Sequence, residues 1–228
     1  MRLPLRLLPD RDLVCLSAQA RAAVGGFVQA TQAHGSLIQS WVRGATVQAL
    51  EHYPVDNVVD RRRASQFFYH CHRSDGAEHG HVHLFRHATR NGRRRRRSDP
   101  PRGEPSHLIA IGLDARGLPV SLFTVNRWVT GGHWFDADTT LRLVRGFDMR
   151  DVLDQGAACR WISGFVRMYE PVIARLLAAR DRRLARRADG AGALEDRRIE
   201  VLSSARLDWA EDLRRIDREL ARRRLGDL

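Results

Sequence analysis

Six of the chain's ten histidines fall between positions 70 and 87, and their spacing matters more than their number. The runs Gln66-Phe67-Phe68-Tyr69-His70-Cys71-His72-Arg73 and Glu78-His79-Gly80-His81-Val82-His83-Leu84-Phe85 flank Ser74-Asp75-Gly76-Ala77. Asp-Gly between two such runs is a strong short-range hairpin signal. With Asp75-Gly76 as the turn, His72 faces His79 and His70 faces His81. Directly opposed residues point to the same side of a sheet, as do residues two apart on one strand. His70, His72, His79, His81 and His83 therefore project from one face. Phe67, Tyr69, Cys71, Val82 and Leu84 project from the other, which reads as core. A slip of one residue on one strand would mix the two sets, so one register accounts for both faces.

Opposed Cβ atoms lie about 5 Å apart and i,i+2 positions about 6.6 Å apart. Imidazoles of that reach can converge on one ion through bonds of roughly 2.0–2.1 Å. The favoured set is His70, His72, His79 and His81, with three of them in direct contact; His83, His107 and His133 are further candidates. All-imidazole sites suit zinc or iron first, and also copper or nickel. In this register Glu78 points to the opposite face and is a poor ligand. The bland alternative, a polar sheet face rich in histidine, is harder to hold for five imidazoles than for one. Crowded imidazoles are costly to protonate together.

His79-Gly80-His81-Val82-His83-Leu84-Phe85 resembles the signature of the histidine-triad nucleotide hydrolases and transferases. That resemblance implies His81 as the nucleophile on an α-phosphate, with His79 and His83 supporting it. Gly80 departs from the apolar residue usual there, Glu78 would set a carboxylate beside the phosphate, and the family's Gly-rich approach is missing. SQFFYHCHR, EHGHVHLF and LFTVNRWVTG together resemble an uncharacterised bacterial protein family, across about residues 50 to 150, which assigns no roles.

The hairpin needs a scaffold. His107 to Leu113, a turn at Asp114–Gly117, and Leu118 to Val129 read as a second hairpin, so a small antiparallel sheet of two hairpins is expected. Asp10 and Ser36 can cap two N-terminal helices, the first with Leu13, Leu16, Ala20, Ala23, Val24 and Phe27 at helical spacing. Val55 to Arg63 reads as a connection or short extended piece. Asp136 or Asp138 caps a later helix, Pro171 fits a first turn, and Ile199, Leu202, Trp209, Leu213, Ile216 and Leu220 mark a last helix. The fold class is α+β, with the sheet flanked by N- and C-terminal helices. Residues 1–150 form the core domain, and 151–228 a helical region packed on it or self-associating into a homo-oligomer.

Asn126, Arg127 and Trp128, dense in polar and aromatic groups at a predicted strand end, are candidate binders of a small-molecule substrate. A strand end with aromatic packing explains them equally well. Three widely spaced cysteines form no CxxC pair, which excludes a thiolate zinc knuckle and a disulfide framework and points to a reducing compartment. No apolar run reaches the roughly 20 residues of a membrane span, and Met1-Arg2-Leu3-Pro4 with Asp10 does not read as a secretory leader. A cytoplasmic location is expected. The net charge of +12 would point to nucleic acid or another polyanion. Every one of the 39 basic residues is arginine, however, which reads as coding bias rather than a recognition surface. Arg93–Arg97 reads as a solvated loop. The expectation is a cytoplasmic metal-binding protein, in its sharper form a metalloenzyme. A His81 nucleotide transferase and a polyanion-binding protein are the alternatives.

Overall fold

The computed structural model describes residues 1–71, 78–88, 104–187 and 192–225. His72, the Asp75-Gly76 turn and the Arg93–Arg97 run lie outside them. Six strands form one sheet: β1 (Tyr53–Asp60), β2 (Ser65–His70), β3 (Gly80–Arg86), β4 (Ser106–Leu113), β5 (Pro119–Val125) and β6 (Val201–Arg206). They lie side by side in chain order, each neighbouring pair antiparallel. The described helices are α1 (Asp10–His34), α2 (Leu37–Val42), α3 (Arg127–Thr130), α4 (Ala137–Arg145), α5 (Gly156–Met168), α6 (Glu170–Ala185) and α7 (Trp209–Arg223).

The class is α+β as expected, but the sheet is larger than two hairpins. The piece around Val55–Arg63, expected as a connection or short extended piece, carries β1. One segment was expected otherwise. The stretch 201–206, expected as the start of the last helix, is β6, and the helix begins only after Asp208, whose side chain accepts from Glu211 N. Leu202 and Ala205 fit a helical stripe, yet Ser203 and Ser204 are weak helix formers. The open edge of β5 offers a row of backbone partners that outweighs that stripe.

Helix ends follow local chemistry. Ser36 Oγ accepts from Gln39 N at 3.1 Å, Asp136 Oδ1 accepts from Thr139 N at 2.7 Å, and Pro171 sits in the first turn of α6. All the large helices lie on one face of the sheet. Phe67, Tyr69, Val82, Leu84, Ile109, Ile111 and Leu122 share a single buried cluster with Trp41, Trp161, Phe165 and Leu176 from the helices. Trp41 stacks on Tyr69 with ring centroids 5.7 Å apart and lies 6.1 Å from Trp161. The cluster draws on residues from both sides of position 150. The alternate residues Ala110, Phe123 and Val125 form a separate small cluster on the opposite face. That face carries the histidines.

Candidate metal centre

The β2–β3 register runs Phe67 with Leu84, Phe68 with His83, Tyr69 with Val82 and His70 with His81. Pairing His70 with His81 is the register expected from the hairpin signal, and it divides the side chains as alternation requires. Phe67, Tyr69, Val82 and Leu84 enter the helical core, each fully buried. His70, His81 and His83 share the other face. Their Nε2 atoms converge: His70 to His81 is 2.7 Å, and His70 to His83 is 3.1 Å. One ring nitrogen from each of the three lies within 4.8 Å of the others, so this group could hold a metal ion. Three nitrogens at tetrahedral angles around a metal would stand about 3.3 Å apart. The two separations from His70 Nε2 are about 0.6 and 0.2 Å shorter than that.

All three rings are buried, His83 almost completely at 1 % exposure. Phe68 lies against His70 and His83, Phe123 meets His81 edge-on at 5.1 Å, and His52 stacks on Phe68. Water is scarce in such surroundings, and a positive charge placed there needs strong partners.

The outer nitrogens supply them. His81 Nδ1 lies 2.8 Å from Glu78 Oε1, and the other Glu78 oxygen accepts from Ser121 Oγ at 2.9 Å. A carboxylate accepts, so the His81 proton belongs on Nδ1 and the Nε2 lone pair faces inward. His83 Nδ1 contacts His107 Nε2 at 3.0 Å. Burial first, and then the charge of Arg180, push His107 down to about 3, so it is neutral and can accept from His83. With His83 donating through Nδ1, its Nε2 lone pair also faces inward. Inward lone pairs at this separation repel one another unless a cation or a shared proton lies between them. Histidines bound to metal commonly anchor their second nitrogen on a carboxylate in this way.

Glu78 corrects the sequence expectation. It precedes β3, which starts at Gly80, so strand alternation does not govern it, and its carboxylate crosses to the imidazole face. It can do so because Gly112 has no side chain. A Cβ at Gly112 would overlap Glu78 Oε2 and Ser121 Oγ and stand 2.7 Å from Glu78 Cδ. The register places His70, His81, Gly112, Ser121 and Arg206 opposite one another in a single row across five strands. That row is the frame of the site.

Other expected ligands lie elsewhere. His79, also ahead of β3, turns Nδ1 to the Tyr69 hydroxyl at 2.6 Å and is not in the converging group. Gly80 permits this, since a Cβ there would meet Tyr69 Cζ at 2.7 Å and the His70 carbonyl at 2.6 Å. His133 is exposed, and His107 acts through His83. Asn126, Arg127 and Trp128 direct their polar atoms to the segment preceding β6. Asn126 Nδ2 donates to Ala193 O, Arg127 pairs with Glu195, and Trp128 Nε1 donates to Ile199 O. They tie α3 to that segment. The residues that single-strand alternation misses are Glu78, Gly112, Ser121 and Arg206. Asp75-Gly76 and period two expose one hairpin, but the row also depends on the β3–β4 and β4–β5 registers, each of which shifts once.

A groove of about 500 Å³ opens beside the cluster, lined by Glu78, His81, Ser121, Phe123, Ser204 and Arg206 among others. The model of a family described as a domain of unknown function (DUF6969) matches residues 17–207. This agrees with the resemblance to an uncharacterised family, and the matching model is not that of the histidine-triad enzymes. No curated protein and no solved structure matches the chain.

Proposed function

We propose that this chain, which belongs to the DUF6969 family, binds one first-row transition ion, zinc or iron before copper or nickel, through Nε2 of His70, His81 and His83. One observation carries the reading: three buried ring nitrogens converge within bonding reach of a common point, and the outer nitrogen of His81 is held by a carboxylate. Three imidazoles leave at least one position for water or substrate, the pattern of catalytic rather than structural sites. The sharper form of the proposal is therefore a metalloenzyme acting on small molecules that enter the groove beside His81. An ion held there would supply Lewis-acid activation of a water or a substrate oxygen. The chain's own part is to fix the His81 tautomer through Glu78, to exclude water with Phe68 and Phe123, and to seat the substrate. We place the protein in the cytoplasm: its three cysteines are free, and no described helix is long and apolar enough to cross a membrane.

The test is elemental analysis of untagged protein, as isolated and after reconstitution. About one equivalent of a transition metal is expected, falling as pH drops because protons compete for the same lone pairs. Single changes of His70, His81 and His83 to alanine should each abolish it, whereas His79→Ala should not. Protein that stays metal-free after reconstitution, with function lost only on changing His81, would overturn the proposal in favour of the nucleotide-transferase reading.

A further inference from the structure

The groove beside the cluster has a chemical polarity that names what it takes. Its inner end is His81 with Glu78. Its outer end, on β6, presents Ser204 and Arg206, both exposed and on the same face as the imidazoles, because Phe123 pairs with Ser204 and Ser121 with Arg206. Between the ends stands Phe123, whose ring meets His81 edge-on. Gly112 and Ala110, opposite His81 and His83 on β4, keep the floor low. Arg206 has no carboxylate within ion-pair distance among the described residues, although many other arginines in the chain do. Two carboxylates also line the groove, and neither competes for the outer end. Glu78 is engaged by His81 and Ser121. Glu200 is six residues from Arg206 along an extended strand, a span of roughly 20 Å. Three strand spacings, roughly 14 Å between Cα atoms, separate Arg206 from His81, and both side chains reach inward from there. A molecule of ten or so heavy atoms bridges what remains, and a volume near 500 Å³ suits it.

We infer that the substrate of the centre is a small organic anion: a carboxylate or phosphate held by Arg206 and Ser204, with a flat apolar body on Phe123 and its reacting end at His81. This rests on the metal reading only for what happens at the inner end. The anion seat stands on Arg206 and the groove alone.

Isothermal titration of untagged full-length protein, metal-loaded and metal-stripped, separates the two. The probes are benzoate, phenyl phosphate and the neutral isostere benzamide. At least one anion should bind saturably, with benzamide weaker by about tenfold or more, since a guanidinium hydrogen bond to an anion is lost. Which anion binds decides between carboxylate and phosphate. Arg206→Gln should weaken the anion by a similar factor without changing metal content or melting temperature, and Arg11→Gln, on a distant exposed arginine, should do neither. No binding of either anion, equal binding of benzamide, or equal effects of the two arginine variants overturns the inference even if metal is present. Arg206-dependent binding to a protein that never takes up metal would keep the anion seat and end the metal reading.

Discussion

Replacing Gly112 with alanine adds one methyl group to a strand, a change that commonly stabilises by up to about 1 kcal/mol through the unfolded chain. Here the opposite is expected. The new Cβ would stand 2.7 Å from Glu78 Cδ and overlap both Glu78 Oε2 and Ser121 Oγ. Ordinary carbon–oxygen contacts are near 3.5 Å, so the carboxylate must retreat by roughly 1 Å. A displacement of that size breaks its 2.8 Å bond to His81 Nδ1 and its 2.9 Å bond from Ser121 Oγ. Glu78 is about one-third exposed and can turn to water in the groove, so the cost to folding should be small, about 1 kcal/mol. The cost to metal binding should be larger. Losing the partner that orients a ligand histidine weakens affinity by about 10- to 100-fold, or about 1.4–2.7 kcal/mol. Competition against a chromophoric chelator measures zinc affinity directly. Glu78→Ala should give a similar loss, and the double variant should lose little more than either alone, because both changes remove one interaction. Unchanged affinity in Gly112→Ala, or additive losses in the double variant, would refute the carboxylate's role.

Two further outcomes follow from the same geometry. Tyr69→Phe removes the hydroxyl that holds His79, at a cost of about 1 kcal/mol in thermal melting, and should leave metal stoichiometry unchanged; a loss of metal would place His79 in the centre after all. Asp148 is buried beside Arg63, Arg150 and Arg167. Burial works to raise its pKa, but hydrogen bonds from the Arg150 side chain and backbone, with the charges of Arg150 and Arg63, hold it down to about 2. A depressed carboxylate contributes stability that is present above its unfolded value, near 4, and is lost as pH falls toward 2. The difference in melting temperature between the wild type and Asp148→Asn should therefore be constant from about pH 5 upward and shrink across about pH 4 to 2. A difference that persists unchanged at low pH would contradict the assignment.

Period-two alternation around Asp75-Gly76 was enough to set His70 against His81 and to separate the imidazole face from the Tyr69–Val82 face, because a strand admits only two sides and one of them must be apolar. The caps at Ser36 and Asp136 and the proline opening α6 were legible for the same local reason: each satisfies a helix end within three or four residues. Alternation stops where the strand does. His79 and Glu78 precede β3, so their directions were decided by what lay nearby, a phenol for one and a carboxylate-sized gap over Gly112 for the other. β6 shows the same limit: its residues fit a helix until the open edge of β5 supplies backbone partners from far along the chain. The cluster's frame is likewise non-local, since the row from His70 to Arg206 depends on four strand registers, and two of them, β3–β4 and β5–β6, pair strands that stand far apart along the chain. The sequence by itself determined which face bears the imidazoles. Which of them converge, and what holds their outer nitrogens, was decided by contacts between segments that only the folded sheet brings together.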